Sequence, residues 1–430
     1  MPGYRGANWS APNEDALLVP STEVPQQGSP KGTPMTTSLG VAVIGAGMAG
    51  KAHAAAYRAA STVYAPVLPE IRLVAIGDSF EPLGVETAQR FGFERHVVDW
   101  RDIAAADDID VVSVVVANSL HREIVEGLLA AGKHVLCEKP LSDTIADARA
   151  MAEAARSAEA QGLVARIGFS YLRSPGIAFM RQLIDDGRLG DLLHFSGRYW
   201  TDYGCRPDAP ISWRYQGPQG SGALGDIGSH VSYIAEYLCG PAHDVSGGRF
   251  HTSIVERPKP LGQVIGHTGG DVSDETSPVT NDDYATFNAR FAACVGTIEV
   301  SRVAAGHPNG LALEIFGTRG AARWSQTNPA QVEVMLHDEH ADVAGYRTIP
   351  LGPAHPHYAG GWAMDAPGVG IGQNDLFVHQ ARAFLEEVAG VPAEASLPRC
   401  RSFDDGVHNM EFLAAVADSA AHGGTTVAVR

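Results

Sequence analysis

Gly45-Ala46-Gly47-Met48-Ala49-Gly50 joins a short apolar segment, residues 41–44, to an alanine-rich stretch of helical spacing over residues 48–60. A G-x-G-x-x-G turn in that setting is compatible with few folds. Its glycines permit a tight strand-to-helix turn and let the backbone approach a pyrophosphate, whose charge the helix N-terminus attracts. The alternation then continues. Residues 71–76, 96–98, 111–116, 134–136 and 163–169 read as strands. Residues 81–91, 100–106, 121–131 and 143–160 read as the helices between them. The run 111–116 is interrupted only by Ser113, as expected of a strand buried on both faces. The pattern predicts an α/β fold, a doubly wound parallel sheet of Rossmann type over residues 39–166.

Beyond about residue 170 the character changes. A helix is expected over 175–186, with proline near its start. Strands are expected at 192–200, 245–256, 283–291, 295–302, 312–318, 321–325 and 331–336, with a Gly/Asp/Thr-rich loop over 262–282. Glycine-bearing turns between several of them favour antiparallel pairing. Two more helices are expected at 373–389 and 404–421. Residues 167–430 are therefore read as an α+β domain, a mostly antiparallel sheet with helices on one face.

Residues 1–38 are rich in Pro, Ser, Gly, Thr and Gln and are read as a disordered extension. Their longest apolar piece, 16–19, is too short for a signal-peptide core. Met35 stands shortly before the first strand and is an alternative start of translation. The 430-residue chain carries a net charge of −17, which argues against nucleic-acid partners and anionic membranes. No apolar run reaches the ~20 residues of a membrane span. Cys137, Cys205, Cys239, Cys294 and Cys400 form no C-x-x-C pair. That suits a reducing compartment, the cytoplasm, and argues against a disulfide framework or a metal site.

The chemistry-bearing residues cluster at strand ends. Gly45, Gly47, Met48, Ala49 and Gly50 form the cofactor turn. Asp78, just past the second strand, would accept from the adenosine ribose hydroxyls and repel a 2′-phosphate, which favours NAD over NADP. A turn-forming Asp after Gly77 is the plainer alternative. Asn118 and His121, beyond the fourth strand, are candidates for the nicotinamide side, or else a loop turn and a helix start. Glu138, Lys139 and Pro140 end the strand at 134–136. Lys139 would stabilise a developing alkoxide and relay a proton, and a cis bond before Pro140 would aim it. In Gly225-Asp226-Ile227-Gly228-Ser229-His230, Asp226 and His230 are four apart, on one face of a helix running to Cys239. A carboxylate beside an imidazole fixes its tautomer and raises its basicity, as a general base requires. Taken alone, an exposed Glu138/Lys139 pair and a locally satisfied Asp/His pair are the simpler readings. No third ligand stands at metal-binding spacing.

Together GAGMAG, AGKHVLCEKP and GALGDIGSH resemble the Gfo/Idh/MocA oxidoreductase family in order and rough spacing, from about Gly40 to the C-terminus. The resemblance implies a C-terminal domain whose open-faced sheet often builds an oligomer interface, and hence a homo-oligomer, dimer or tetramer. It implies Lys139, Asp226 and His230 as the catalytic set. The segments Tyr171-Leu172-Arg173, Ile211-Ser212-Trp213-Arg214 and Ala354-His355-Pro356 are similar to the branch of levoglucosan dehydrogenase and the sugar and inositol dehydrogenases. On that resemblance Tyr171, Asp202, Trp213 and Arg214 are candidates to contact a sugar or polyol. The family often has Thr-Pro before the asparagine of the fourth strand, where this chain has Val116-Ala117. The implied activity is NAD-dependent oxidation of a secondary hydroxyl of a sugar, anhydrosugar or inositol. An NAD-dependent glycosidase and a non-catalytic NAD-binding sugar regulator are the alternatives on the same fold.

Overall fold

The computed structural model describes residues 38–64, 67–262, 264, 269–337 and 344–430; the expected extension at 1–38 lies outside them but for its last residue. The first layer contains strands β1 (Ser38–Ile44), β2 (Glu70–Gly77), β3 (Arg95–Val97), β4 (Val111–Val114), β5 (His134–Glu138) and β6 (Ala165–Gly168). Between them run α1 (Met48–Ala60), α2 (Glu81–Phe91), α3 (Trp100–Ala104), α4 (His121–Ala130) and α5 (Ile145–Glu159). The strands are all parallel, in the order β3-β2-β1-β4-β5-β6. Val41, Val43, Val111, Val112, Val135 and Leu136 are wholly buried, since helices cover both faces and leave the central strands no wet side. The order reverses between β1 and β4, and a ligand crevice opens beyond the strand ends there.

The second sheet follows α6 (Pro175–Asp185). Its elements, with the hairpin and helices among them, are β7 (Leu192–Trp200), α7 (Ser229–Cys239), β8 (Ala242–His251), β9 (Glu256–Pro260), β10 (Val272–Pro278), β11 (Tyr284–Phe291), β12 (Val295–Ser301), β13 (Gly310–Gly317), β14 (Gly320–Ser325), β15 (Gln331–Leu336), β16 (Arg347–Pro350), α8 (Gln373–Val388), α9 (Phe403–Ala421) and β17 (Val427–Ala428). Nine strands pair as β16-β15-β14-β13-β7-β12-β11-β8-β17. All pairings are antiparallel except β7 with β12. Along β7, Phe195, Gly197 and Tyr199 turn inward while Ser196 and Arg198 stay exposed. Helices α6, α7 and α9 pack on this sheet.

Four local expectations are corrected. The segment expected as one strand over 245–256 is two, because Asp283 Oδ2 accepts the Ser253 and Ile254 amides (2.8 and 2.9 Å) and draws the chain off the ladder. The expected loop at 262–282 contains β10, which pairs with β9. The fourth strand ends at Val114 and the chain turns through a 3-10 segment at Asn118–Leu120. The helix expected from Asp226 begins as a π turn, Leu224–Gly228, before α7. Its entry is held by Asp282, whose carboxylate accepts the amides of Gly220, Gly222 and Leu224 at 2.7–2.9 Å.

Helix α8 returns to the first layer. Val378, Ala381, Phe384 and Leu385 share a buried cluster with Val41, Val43 and Tyr57. Arg382 donates to the carbonyls of Ala60 (3.2 Å) and Val63 (2.8 Å) and pairs with Glu386 (2.6 Å). The end of the chain thus braces the helix that follows the glycine turn.

Candidate active site

The glycine turn divides its labour. Gly45 has φ +103°, and a Cβ there would lie 2.0 Å from the Val115 carbonyl oxygen. A Cβ on Gly50 would lie 1.8 Å from the Gly45 carbonyl oxygen. Gly47 meets nothing within 4 Å, and it is exposed together with Met48, while Ala49 is half-buried. Two glycines serve the turn and one faces outward, as an approaching phosphate requires. No side chain caps the start of α1, so its first amides remain for an anion. Asp78 Oδ2 accepts from Ala46 N and Oδ1 from Phe80 N, both at 2.8 Å. The carboxylate therefore braces the turn just past the end of β2. These residues fit a dinucleotide.

At the end of β5, Glu138 enters a polar chain that sequence reasoning missed. Its Oε1 lies 2.9 Å from His53 Nε2, His53 Nδ1 lies 3.0 Å from Ser113 Oγ, and Tyr57 Oη lies 2.9 Å from the same Oγ. His53, Tyr57 and Ser113 are buried. A Cβ on Gly168 would come within 2.7 Å of Glu138 Oε1. Ser113, the polar break in an otherwise β-branched strand, was the available signal. Glu138 Oε2 also accepts the Lys139 amide (3.1 Å), so this chain fixes the backbone from which Lys139 projects. The Lys139–Pro140 peptide is cis.

Lys139 reaches across to the π turn. Its Nζ donates to the Asp226 carbonyl oxygen at 2.7 Å and lies 3.6 Å from Asp226 Oδ1. Asp226 Oδ2 accepts from Tyr203 Oη at 2.7 Å. The Asp226 carboxylate thus engages Lys139 and Tyr203.

His230 sits one step on, half-buried, among Tyr171, Tyr199 and Tyr233 at ring distances of 5.0–6.0 Å. Its Nδ1 lies 2.8 Å from Tyr233 Oη. That oxygen already accepts from the Tyr171 amide (3.3 Å). Which of Nδ1 and Oη donates depends on the imidazole tautomer; the tautomer with Nδ1–H on Tyr233 is the one that offers an Nε2 lone pair. Burial, and then the Lys139 charge, push the imidazole well below its ordinary range, while Asp226 pulls it back. Tyr233, three residues on in the same helix, was legible from spacing but was not singled out.

Two expected contacts are corrected. His121 is wholly buried, with Nδ1 3.2 Å from the Leu141 carbonyl and Nε2 3.2 Å from that of Val116. It ties the β4 exit to the segment after Pro140 instead of facing the crevice. Tyr171 is also wholly buried; its hydroxyl lies 2.9 Å from that of Tyr199, and burial pushes it up to about 12. It walls His230 and presents no open face to a sugar. Asn118 remains half-exposed, and its side chain makes no hydrogen bond to another described residue.

Asp202 is half-buried beside Tyr203. Trp213 is 53% exposed, with the Arg214 guanidinium 4.4 Å from its ring centroid. Arg214 Nε is buried without a partner. The buried Arg302 secures both loops, donating to the Arg214 carbonyl (2.7 Å) while its own carbonyl accepts from Gly204 N (2.8 Å). Arg302 is paired with buried Asp283 at 2.8 Å, and its guanidinium lies 4.5 Å from the Tyr215 ring centroid. Trp213 and Arg214 are thereby tied to the loop that carries Tyr203 to Asp226.

Residues 39–166 match the family model described as an oxidoreductase family with an NAD-binding Rossmann fold, and residues 177–323 match the GFO/IDH/MocA C-terminal domain. Levoglucosan dehydrogenase of Pseudarthrobacter phenanthrenivorans is 37% identical over 358 residues, which span 82% of this chain and 90% of that one. The scyllo-inositol 2-dehydrogenase (NAD(+)) of Bacillus subtilis is 25% identical over 59% of this chain and 66% of its own. A solved levoglucosan dehydrogenase in complex with NADH and levoglucosan superposes with a TM-score of 0.80 at 35% identity, over 91% of this chain and 99% of that one. By these matches to both of its halves, the chain belongs to the Gfo/Idh/MocA oxidoreductase family, with its NAD-binding Rossmann fold.

Proposed function

We propose that this protein is an NAD-dependent dehydrogenase that oxidises a secondary hydroxyl of a sugar, anhydrosugar or inositol, with Lys139, Asp226 and His230 as its catalytic set. The observation that carries the reading is the grouping on one turn: an ammonium held on Asp226, and four residues later an imidazole whose Nδ1 lies 2.8 Å from the Tyr233 hydroxyl. Bound NAD supplies the hydride acceptor. His230 Nε2 takes the hydroxyl proton. The resulting imidazolium keeps Nδ1–H on Tyr233, and the nearby Asp226 carboxylate favours its charge. Lys139 stabilises the oxygen as it becomes an alkoxide. Asp226 acts by holding Lys139.

Trp213 offers an aromatic face, and Arg214 and Asp202 offer polar groups, to the hydroxyls of a carbohydrate. The likeness to levoglucosan dehydrogenase supports an anhydrosugar. Asn118, half-exposed beyond the fourth strand, is assigned to the nicotinamide side in this reading. The outward face of the nine-stranded sheet exposes Val295 beside His194 and is assigned to a homo-oligomer, dimer or tetramer. The five free thiols favour the cytoplasm.

The test is a panel of levoglucosan, aldoses and inositols, read by NADH absorbance with NAD and with NADP. Net NADH from at least one polyol, with NAD preferred, is expected. Product without net NADH would instead mark the glycosidase. No turnover of any of them, or turnover unaffected in Lys139→Ala and His230→Ala, would overturn the assignment.

A further inference from the structure

A cavity of about 460 Å³ opens among the end of β6, α7, α8 and the segment leading into α9. Four arginines line it. Arg166 is answered by Glu387 (2.6 Å) and by Glu159, and Arg401 faces Asp405 at 3.5 Å. Arg173 and Arg399 have no carboxylate partner among the described residues. Arg173, 4% exposed, donates to the Pro398 carbonyl (2.5 Å) and to Cys400 Sγ (3.2 Å). Arg399 donates to the Val391 carbonyl, and its Nη1 is buried without a partner. Gln380, 1% exposed and also lining the cavity, has no partner for Nε2.

Buried cationic and amide donors left unpaired are costly unless something answers them. Buried Arg173 and Gln380 and half-buried Arg399 line this one cavity; among the described residues the two guanidinium groups meet no carboxylate, and Arg399 Nη1 and Gln380 Nε2 have no hydrogen-bond partner. Its volume falls within the roughly 300–1,000 Å³ of small-molecule sites and exceeds what inorganic phosphate fills. Phe169 and Leu172 give it an apolar wall. We propose that this cavity is a binding site for a small organic anion, a sugar-sized carboxylate or phosphate ester, separate from the catalytic crevice.

Its position couples it to the proposed base. The Phe169 ring stacks on Tyr233 with centroids 4.1 Å apart, and the Tyr233 hydroxyl holds His230 Nδ1. An occupant that shifts Phe169 therefore shifts the partner that sets the imidazole tautomer. This coupling rests on the reading of His230 as base; the binding itself does not.

The test is calorimetric titration of the full chain, saturated with NADH to fill the cofactor turn, with gluconate, glucose 6-phosphate and inorganic phosphate at fixed ionic strength. One organic probe is expected to bind at one site, at least tenfold more weakly in Arg399→Gln and in Gln380→Met, and undiminished in His230→Ala. Thermal melts establish that the variants are folded, and either one suffices if the other is not. No binding of either organic probe, binding unchanged by both substitutions, or inorganic phosphate binding as tightly as the organic probes would overturn the site. Turnover with the bound probe is expected to change at least twofold in kcat. Binding without that change overturns the coupling and leaves the site standing.

Discussion

Lys139 Nζ donates to the carbonyl oxygen of Asp226 at 2.7 Å, across a gap between two elements 87 residues apart in sequence. The ammonium is 12% exposed, so its charge acts through little intervening water. The same charge depresses the His230 imidazole, and Asp226 opposes it. Lys139 and His230, the proposed alkoxide stabiliser and base, thus meet opposing charges on one turn of chain.

Lys139→Ala removes the group assigned to the developing alkoxide. A fall in kcat of about 10²–10³-fold is expected, the usual cost of losing such a donor. NADH affinity, measured by fluorescence titration, should hold within a few-fold. Loss of NADH binding together with activity would recast Lys139 as a cofactor residue.

His230 must be neutral to accept a proton, so activity is present above its pKa and lost as pH falls through it. Its pKa lies well below 6.5, which places that limb on the acid side. Removing the Lys139 charge should move the imidazole titration upward, and Asp226→Asn should move it downward. NMR titration of His230 in Lys139→Met and Asp226→Asn reads both signs; a shift in the opposite sense would contradict the electrostatic assignment.

Tyr233→Phe deletes the acceptor that orders the His230 tautomer. A kcat loss of about tenfold is expected, near the lower edge of what a positioned base contributes, with KM for the sugar changed little. An unaltered kcat would assign the tautomer to another partner.

The buried pair Arg302–Asp283 offers a stability test. Arg302→Met leaves Asp283 charged, buried and without its partner, at a cost of about 3–5 kcal/mol. The midpoint in urea should fall accordingly. KM for the polyol should rise, because Arg302 holds the Trp213–Arg214 turn by the Arg214 carbonyl.

Acid sensitivity should come from two further histidines. Burial first, then neighbouring positive groups, hold His357 down to about 3. Burial holds His379 down to about 4; its bond to the Arg173 carbonyl opposes this, and the Arg173 charge adds a smaller push downward. Unfolded, both titrate near 6.5. Below that pH the unfolded chain takes up protons that the folded one refuses. The stabilisation is complete above about 6.5 and is lost as pH falls toward 3–4, by about 1.4 kcal/mol per pH unit for each histidine. His379→Gln, which preserves an acceptor for Trp362 Nε1 (3.0 Å), should flatten the decline in melting temperature between pH 7 and pH 5. An equally steep decline would remove His379 from the account.

Local pattern made the first layer readable. α1 and α2 have the expected limits, because a glycine turn and a helical apolar spacing are properties of contiguous residues. Asp78, Lys139 and His230 were legible for a related reason: each sits at a fixed offset from a strand end or a helix start. The partners were not. Ser113 was visible only as a polar break in a strand, and His53 and Glu138, which complete its chain, lie 60 and 25 residues away along the sequence. The meeting of Asp226 with Lys139 and Tyr203, the burial of Tyr171 and His121, and β10 in an expected loop share that origin.

By itself the sequence determined the alternation of elements, the dinucleotide turn and which residue types could carry hydride-transfer chemistry, because these depend on period, offset and side-chain class. The tertiary structure decided which of those residues meet. It seated Lys139 on Asp226, set the His230 ring beside Tyr233 and brought four arginines to one cavity. Hydrogen bonds and burial are settled by distance in space, and two elements far apart in a sequence carry no mark of how close folding will bring them.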